Sequence, residues 1–176
     1  MKYLISASLV VAAITSGFSA TASAHASLET KTAPVGSHYK AVMRIGHGCE
    51  GSSTHTVRIQ LPPEVLRAKP MPKAGWTLET VKEKLDKPFD YYGKTINEDV
   101  REIIWSAGNL PDDYYDEFVF SAKLAGQPGQ TIHLKTFQEC SQGDLQWIEI
   151  PAEGQDPHDL KAPAPALKLV DKHHDH

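Results

Sequence analysis

The sequence predicts an all-β protein, an antiparallel β-sandwich. Three observations carry this prediction. Short apolar–polar alternations recur along the chain, as strands with one buried face require. Turn signals separate them, drawn from twelve Gly and twelve Pro in 176 residues. No long helical period intervenes, and the best helical stretches are brief, Pro63–Arg67 and Asn97–Glu102.

In chain order, Tyr39, Ala41, Met43 and Ile45 form the first clear alternation. Val57, Ile59 and Leu61 alternate with Thr56, Arg58 and Gln60. Further strand-like runs are Trp76–Val81, Ile103–Trp105, Phe118 with Phe120, Ile132 with Leu134, and Gln146–Ile150. Between them lie Ala33-Pro34-Val35-Gly36, Pro62-Pro63, Lys73-Ala74-Gly75, Gly126-Gln127-Pro128-Gly129 and Gln142-Gly143-Asp144. Roughly seven or eight short strands in about 125 residues suit a sandwich. From Pro151 the composition turns to Pro, Ala, Lys and Asp, so residues 152–176 are expected to be a flexible tail outside the fold. The expected domain spans residues 25–151.

Residues 1–24 read as a secretory signal peptide. Lys2 is followed by the mostly apolar run from Leu4 to Phe18, then by small residues up to Ala24. A membrane anchor is the alternative, but Ser and Thr dilute the run and it ends in cleavage-type residues. No later stretch has the roughly 20 apolar residues of a bilayer span. The expected location is periplasmic or secreted. Ala20-Thr21-Ala22, Ala22-Ser23-Ala24 and Ala24-His25-Ala26 all fit the cleavage pattern. Cutting after Ala24 leaves His25 as the first residue.

Charge narrows the partners. With 18 Lys and Arg against 22 Asp and Glu, the formal net charge is −4, and no basic excess is present to neutralise nucleic-acid phosphates. Cys49 and Cys140 are the two cysteines. In an oxidising compartment the default is a disulfide; two thiolates holding Cu(I) or Zn(II) are the alternative. A bridge would tie the loop carrying Glu50 to the strand region of Trp147.

An exported chain that begins with His carries a ready-made chelate. Its α-amine and imidazole Nδ1 can grip one metal together, and Cu(II) heads the divalent affinity order for such nitrogen donors. The α-amine has an ordinary pKa near 7.7–8.0 and needs little help to deprotonate. A carboxylate would complete the set, and Glu50, in Gly46-His47-Gly48-Cys49-Glu50-Gly51, is a candidate. His47 is a possible further ligand. His173, His174 and His176, with Asp171 and Asp175, form a second possible metal-binding tract. His55 and His133 are expected to face solvent on strands. Trp76 and Trp105 are expected in the core, although an indole face gains cation–π energy beside a metal.

His25-Ala26-Ser27-Leu28, Ala33-Pro34-Val35-Gly36-Ser37 and Arg44-Ile45-Gly46-His47-Gly48-Cys49-Glu50-Gly51-Ser52 resemble the start of the YcnI-like family of exported copper-binding proteins. Gly75-Trp76, Ile104-Trp105-Ser106-Ala107-Gly108-Asn109-Leu110-Pro111-Asp112 and Trp147-Ile148-Glu149-Ile150-Pro151 match its later pattern. The resemblance implies a cupredoxin- or immunoglobulin-like sandwich that holds Cu(II) in a monohistidine brace. Carried over, His25 supplies amine and imidazole, Glu50 completes the ligation and Trp147 stacks beside the metal. The resemblance also selects cleavage between Ala24 and His25.

The expected function is therefore a periplasmic Cu(II) chaperone or buffer, not an enzyme, with a membrane copper transporter or a cuproprotein as recipient. Two other readings remain at this level. One is a copper mono-oxygenase, which wants a second His where Glu50 would sit. The other is a metal-free adhesion or docking module. No nucleophile–base constellation, phosphate loop or cofactor fingerprint is present.

Overall fold

The computed structural model describes residues 25–172. The expected signal peptide and the His173, His174 and His176 tract lie outside the described residues. Twelve strands are described: β1 Ser27–Leu28, β2 Thr32–Pro34, β3 His38–Ile45, β4 Thr54–Gln60, β5 Val65–Pro70, β6 Thr77–Tyr91, β7 Lys94–Ser106, β8 Asp116–Leu124, β9 Thr131–His133, β10 Thr136–Cys140, β11 Asp144–Trp147 and β12 Ala166–Val170. They form a four-stranded sheet in the order β1-β3-β8-β5, a five-stranded sheet in the order β11-β10-β4-β7-β6, and a small sheet β2-β12-β9.

The alternations work as the sequence predicts. Tyr39, Ala41, Met43 and Ile45 of β3 point inward, and so do Phe118, Phe120, Ala122 and Leu124 of β8. The two strands pair antiparallel from His38 opposite Lys123 to Ile45 opposite Asp116. Val57 and Ile59 of β4 and Ile103 and Trp105 of β7 contribute from the other sheet. Trp105 is fully buried, edge-on to Phe118 at 5.5 Å, and donates its indole N–H to the Met71 carbonyl. Trp76 also meets Phe118 edge-on, at 4.9 Å, so both tryptophans pack as expected. β6 and β7 are joined through Tyr92 and Gly93, both at positive φ, as a two-residue type I′ hairpin requires.

Three expectations are corrected. Residues 152–176 are not wholly a tail. Ala166–Val170 is a strand, parallel to β2 and antiparallel to β9, and its Leu167 and Leu169 are buried in the core. The two leucines flank Lys168, a period-2 signal hidden by the Pro- and Ala-rich approach to it.

The helical stretches are also strands. Pro63–Arg67 runs into β5, where Val65 and Ala68 face the core, and Asn97–Glu102 lies within β7. Arg67 stands at φ 54° and gives its backbone N–H to Asp99 Oδ2 at 2.7 Å. Asp99 is buried, with Arg67 and Arg101 beside it, so a tertiary charge cluster overrides the local helical reading.

His55 and His133 are half-buried instead of facing solvent. His55 bonds the Cys140 carbonyl through Nε2 at 2.8 Å. His133 bonds the Ala164 backbone, while its Nδ1 is buried without a hydrogen-bond partner, and burial lowers its pKa below the ordinary value.

Candidate metal centre

The site gathers at one end of the sandwich. Ser27 pairs with Arg44, so His25, two residues earlier, lies beside the loop that leaves β3. That loop, residues 46–53, carries His47, Cys49 and Glu50. Across from it, Trp147 ends β11, and β11 is held against β10 by pairing of Trp147 with Thr136.

Two imidazoles meet one indole. The His25 ring lies 5.5 Å from the Trp147 ring at 83°, edge to face. The His47 ring lies 6.5 Å from the same indole at 79°. Trp147 is buried, and its Nε1–H donates to Gln138 Oε1 at 3.1 Å. Gln138, also buried, donates through Nε2 to the His47 carbonyl at 2.6 Å and to Thr54 Oγ1 at 2.8 Å. His47 Nδ1 contacts the Gly48 carbonyl. That carbonyl can only accept, so Nδ1 is the donor, and in the neutral tautomer this leaves Nε2 as the acceptor nitrogen.

The loop is fastened covalently and by backbone. Cys49 and Cys140 form a disulfide with a Cα–Cα separation of 6.0 Å. Cys49 and Ser52 exchange both backbone hydrogen bonds at 2.9 Å around Glu50 and Gly51. Glu50 has φ 49° and Gly51 φ 86°, the two positive values of a type I′ turn. Glu50 is thus held exposed at a corner where Asn or Gly is the ordinary choice. Gly48 is obligatory for a different reason: a Cβ there would stand 2.0 Å from the Ser52 carbonyl oxygen and 3.0 Å from Asp112 Oδ1. The Ser141 N–H donates to the Ser53 carbonyl at 2.9 Å, so the two bridged loops are also stitched together by main chain.

His25, His47 and Trp147 are therefore brought together, and the disulfide partners are joined. Glu50 shares the loop, but among the described residues no three His, Cys, Asp or Glu side chains are grouped closely enough to hold a metal ion. A single residue could supply a chelate: the His25 imidazole and, were the preceding peptide bond cut, its own amine. An amine–imidazole chelate needs no ready-made cage of side chains.

Sequence reasoning missed Gln138 and Thr54. The signal was present, since Thr136, Gln138 and Cys140 occupy every second position of β10 and all face inward. It was obscured because the large apolar residue of this strand, Phe137, points to the other face.

The chain matches, over residues 25–169, the family described as "Domain of unknown function (DUF1775)". Among solved structures it is similar to an uncharacterized protein from Nocardia farcinica with an immunoglobulin-like fold, at 23% identity, covering 84% of this chain and 99% of that chain, with a TM-score of 0.63. That likeness establishes the immunoglobulin-like sandwich. No curated protein matches the chain.

Proposed function

This chain belongs to the DUF1775 family, the family of the YcnI-like proteins, and from that premise we propose that it is an exported Cu(II) carrier. The reading has the chain cut between Ala24 and His25. The freed amine and the His25 imidazole then chelate one Cu(II), and the protein buffers the ion or passes it to a membrane transporter or cuproprotein without chemical turnover. The observation that carries it is the edge-to-face placement of the His25 ring on the buried Trp147, 5.5 Å away. This sets a chelating residue against an aromatic wall that limits water on one side and favours a cation.

Two further features support it. Glu50 holds a positive φ that a non-glycine residue adopts only at a cost, and such outliers concentrate at functional positions. As an exposed carboxylate in a pinned loop, it supplies negative charge and an oxygen donor toward Cu(II). His47, with Nε2 left as an acceptor, is the second available imidazole.

The test is titration of protein that begins at His25, followed by calorimetry and electron paramagnetic resonance. One Cu(II) per molecule is expected, with nitrogen hyperfine structure from His25. Acetylation of the His25 amine should abolish tight binding, because the nitrogen becomes an amide and no other terminal amine replaces it. Unchanged affinity in the acetylated protein, or in His25→Ala, overturns the proposal. An unaltered spectrum in Glu50→Ala removes the carboxylate from the ligand set.

A further inference from the structure

We propose that Gln138 is a positioning residue for the metal centre, fixing the orientation of the Trp147 ring beside His25 and the position of the His47 loop at the same time. Its bearing on copper rests on the function proposed above; its bearing on the indole does not.

Gln138 stands at a core-facing position of β10 and is 1% exposed. An amide buried there is costly unless its hydrogen-bonding capacity is used. Here Oε1 accepts from the Trp147 indole, and Nε2 donates to the His47 carbonyl and to Thr54 Oγ1. The arrangement cannot be reversed. Turning the amide over would set N–H against indole N–H and oxygen against carbonyl oxygen. The side chain therefore has one orientation, and so does the indole bonded to it.

Three separate segments converge on this amide: the end of β11 through Trp147, the β3–β4 loop through His47, and the start of β4 through Thr54. Thr54 Oγ1 in turn lies 3.5 Å from the Cys140 sulfur. The bond to the indole nitrogen also restrains the side-chain torsion of Trp147. Without it the ring could rotate away from its place beside His25. A Leu or Met would fill the same volume, yet would leave the buried indole N–H and the His47 carbonyl without this partner. Gln138 acts through Trp147 and His47, as the residues that orient ligands do at other metal sites.

The experiment compares Gln138→Leu and the near-isosteric Gln138→Glu with wild type, all processed to His25. The metal-free reading is the Trp147 indole N–H resonance, assigned by its disappearance in Trp147→Phe. In Gln138→Leu its exchange with solvent should speed up by at least about tenfold and its shift should move. In Gln138→Glu the carboxylate still accepts from Nε1, so the indole signal should persist while the His47 amide region shifts. If Gln138→Leu does not fold, the Glu variant decides the matter by that split.

The copper reading is quenching of Trp147 fluorescence by Cu(II). The Kd should rise by about tenfold in Gln138→Leu, with the nitrogen hyperfine pattern unchanged because the ligands are intact. An indole N–H as protected in Gln138→Leu as in wild type, no shift of the His47 amide region in Gln138→Glu, or wild-type quenching and Kd in Gln138→Leu overturns the proposal. Wild-type protein that binds no Cu(II) sinks the proposed function instead, and the metal-free signals then decide the role of Gln138.

Discussion

Replacing both Cys49 and Cys140 by Ala should weaken the fold without dismantling the site. The bridge spans 91 positions. In the chain-entropy treatment, a closed loop of that size removes about 16 cal/mol/K from the unfolded chain, or about 4.6 kcal/mol at 25 °C. For a domain of this size, that corresponds to a fall in Tm of about 10–18 °C. It is also a large share of the roughly 5–15 kcal/mol by which such domains are stable. Native geometry should survive, because the Ser141 N–H still bonds the Ser53 carbonyl at 2.9 Å and the Gln142 N–H still bonds Ser52 Oγ at 2.8 Å. The assay is urea denaturation of both proteins at pH 7, with thermal melts alongside. If the effect lies in the unfolded state, the urea m-value should also rise, since an unbridged chain exposes more surface. A Tm within about 3 °C of wild type refutes the entropic reasoning. A lost His25–Trp147 contact by NMR refutes the claim that the main chain alone keeps the loops in place.

Leu169→Ala should cost about 2–5 kcal/mol in urea denaturation, as truncation of a buried leucine does; a neutral result would return the segment to the status of a tail. Tyr39 donates its hydroxyl to the Thr30 carbonyl at 2.6 Å, and burial, helped by Glu29, pushes its pKa up to about 12. Above pH 10 the unfolded chain releases this proton first. Stability should therefore be flat below pH 10 and fall by about 2–3 kcal/mol through pH 12, and Tyr39→Phe should flatten that slope. Glu50→Gly should stabilise the apo fold by about 1 kcal/mol by relieving the positive φ, while weakening Cu(II) binding; a destabilised apo protein would show that the corner is not strained.

Much of the sandwich is legible in the chain because period-2 alternation is a direct image of a sheet with one buried face. Tyr39 to Ile45 and Val57 to Leu61 are cases in point. It fails where burial is decided by partners far away in sequence. Asp99 is buried because Arg67 and Arg101 come to it, and no local window contains all three. β12 is short and follows Pro163 and Pro165, and its pairing with β2 and β9 is what makes its brief alternation a strand. At the site, His47 and Trp147 were legible as residue types in suggestive settings, and the disulfide as the default in an oxidising compartment. Gln138 was not, because its alternation with Thr136 and Cys140 is mostly polar and is masked by Phe137, which points to the other face. Glu50 was legible as a carboxylate in a glycine loop, but its turn conformation, and that no three-donor cluster forms around it among the described residues, required coordinates.

The seam closed by β12 sets a schedule for the molecule. Lys168 lies beside Thr32 in a parallel pair, so a rib made early waits for one made much later in the chain. Parallel pairings between such distant stretches are slow to form, since the ordering loss of a long loop precedes any reward. The nascent chain is thus expected to stay open, with the β2 and β9 edges unsatisfied, until residues near 170 emerge. A fusion partner attached directly after Val170 would crowd the last stitch, whereas one set off by a spacer would leave the closure to proceed.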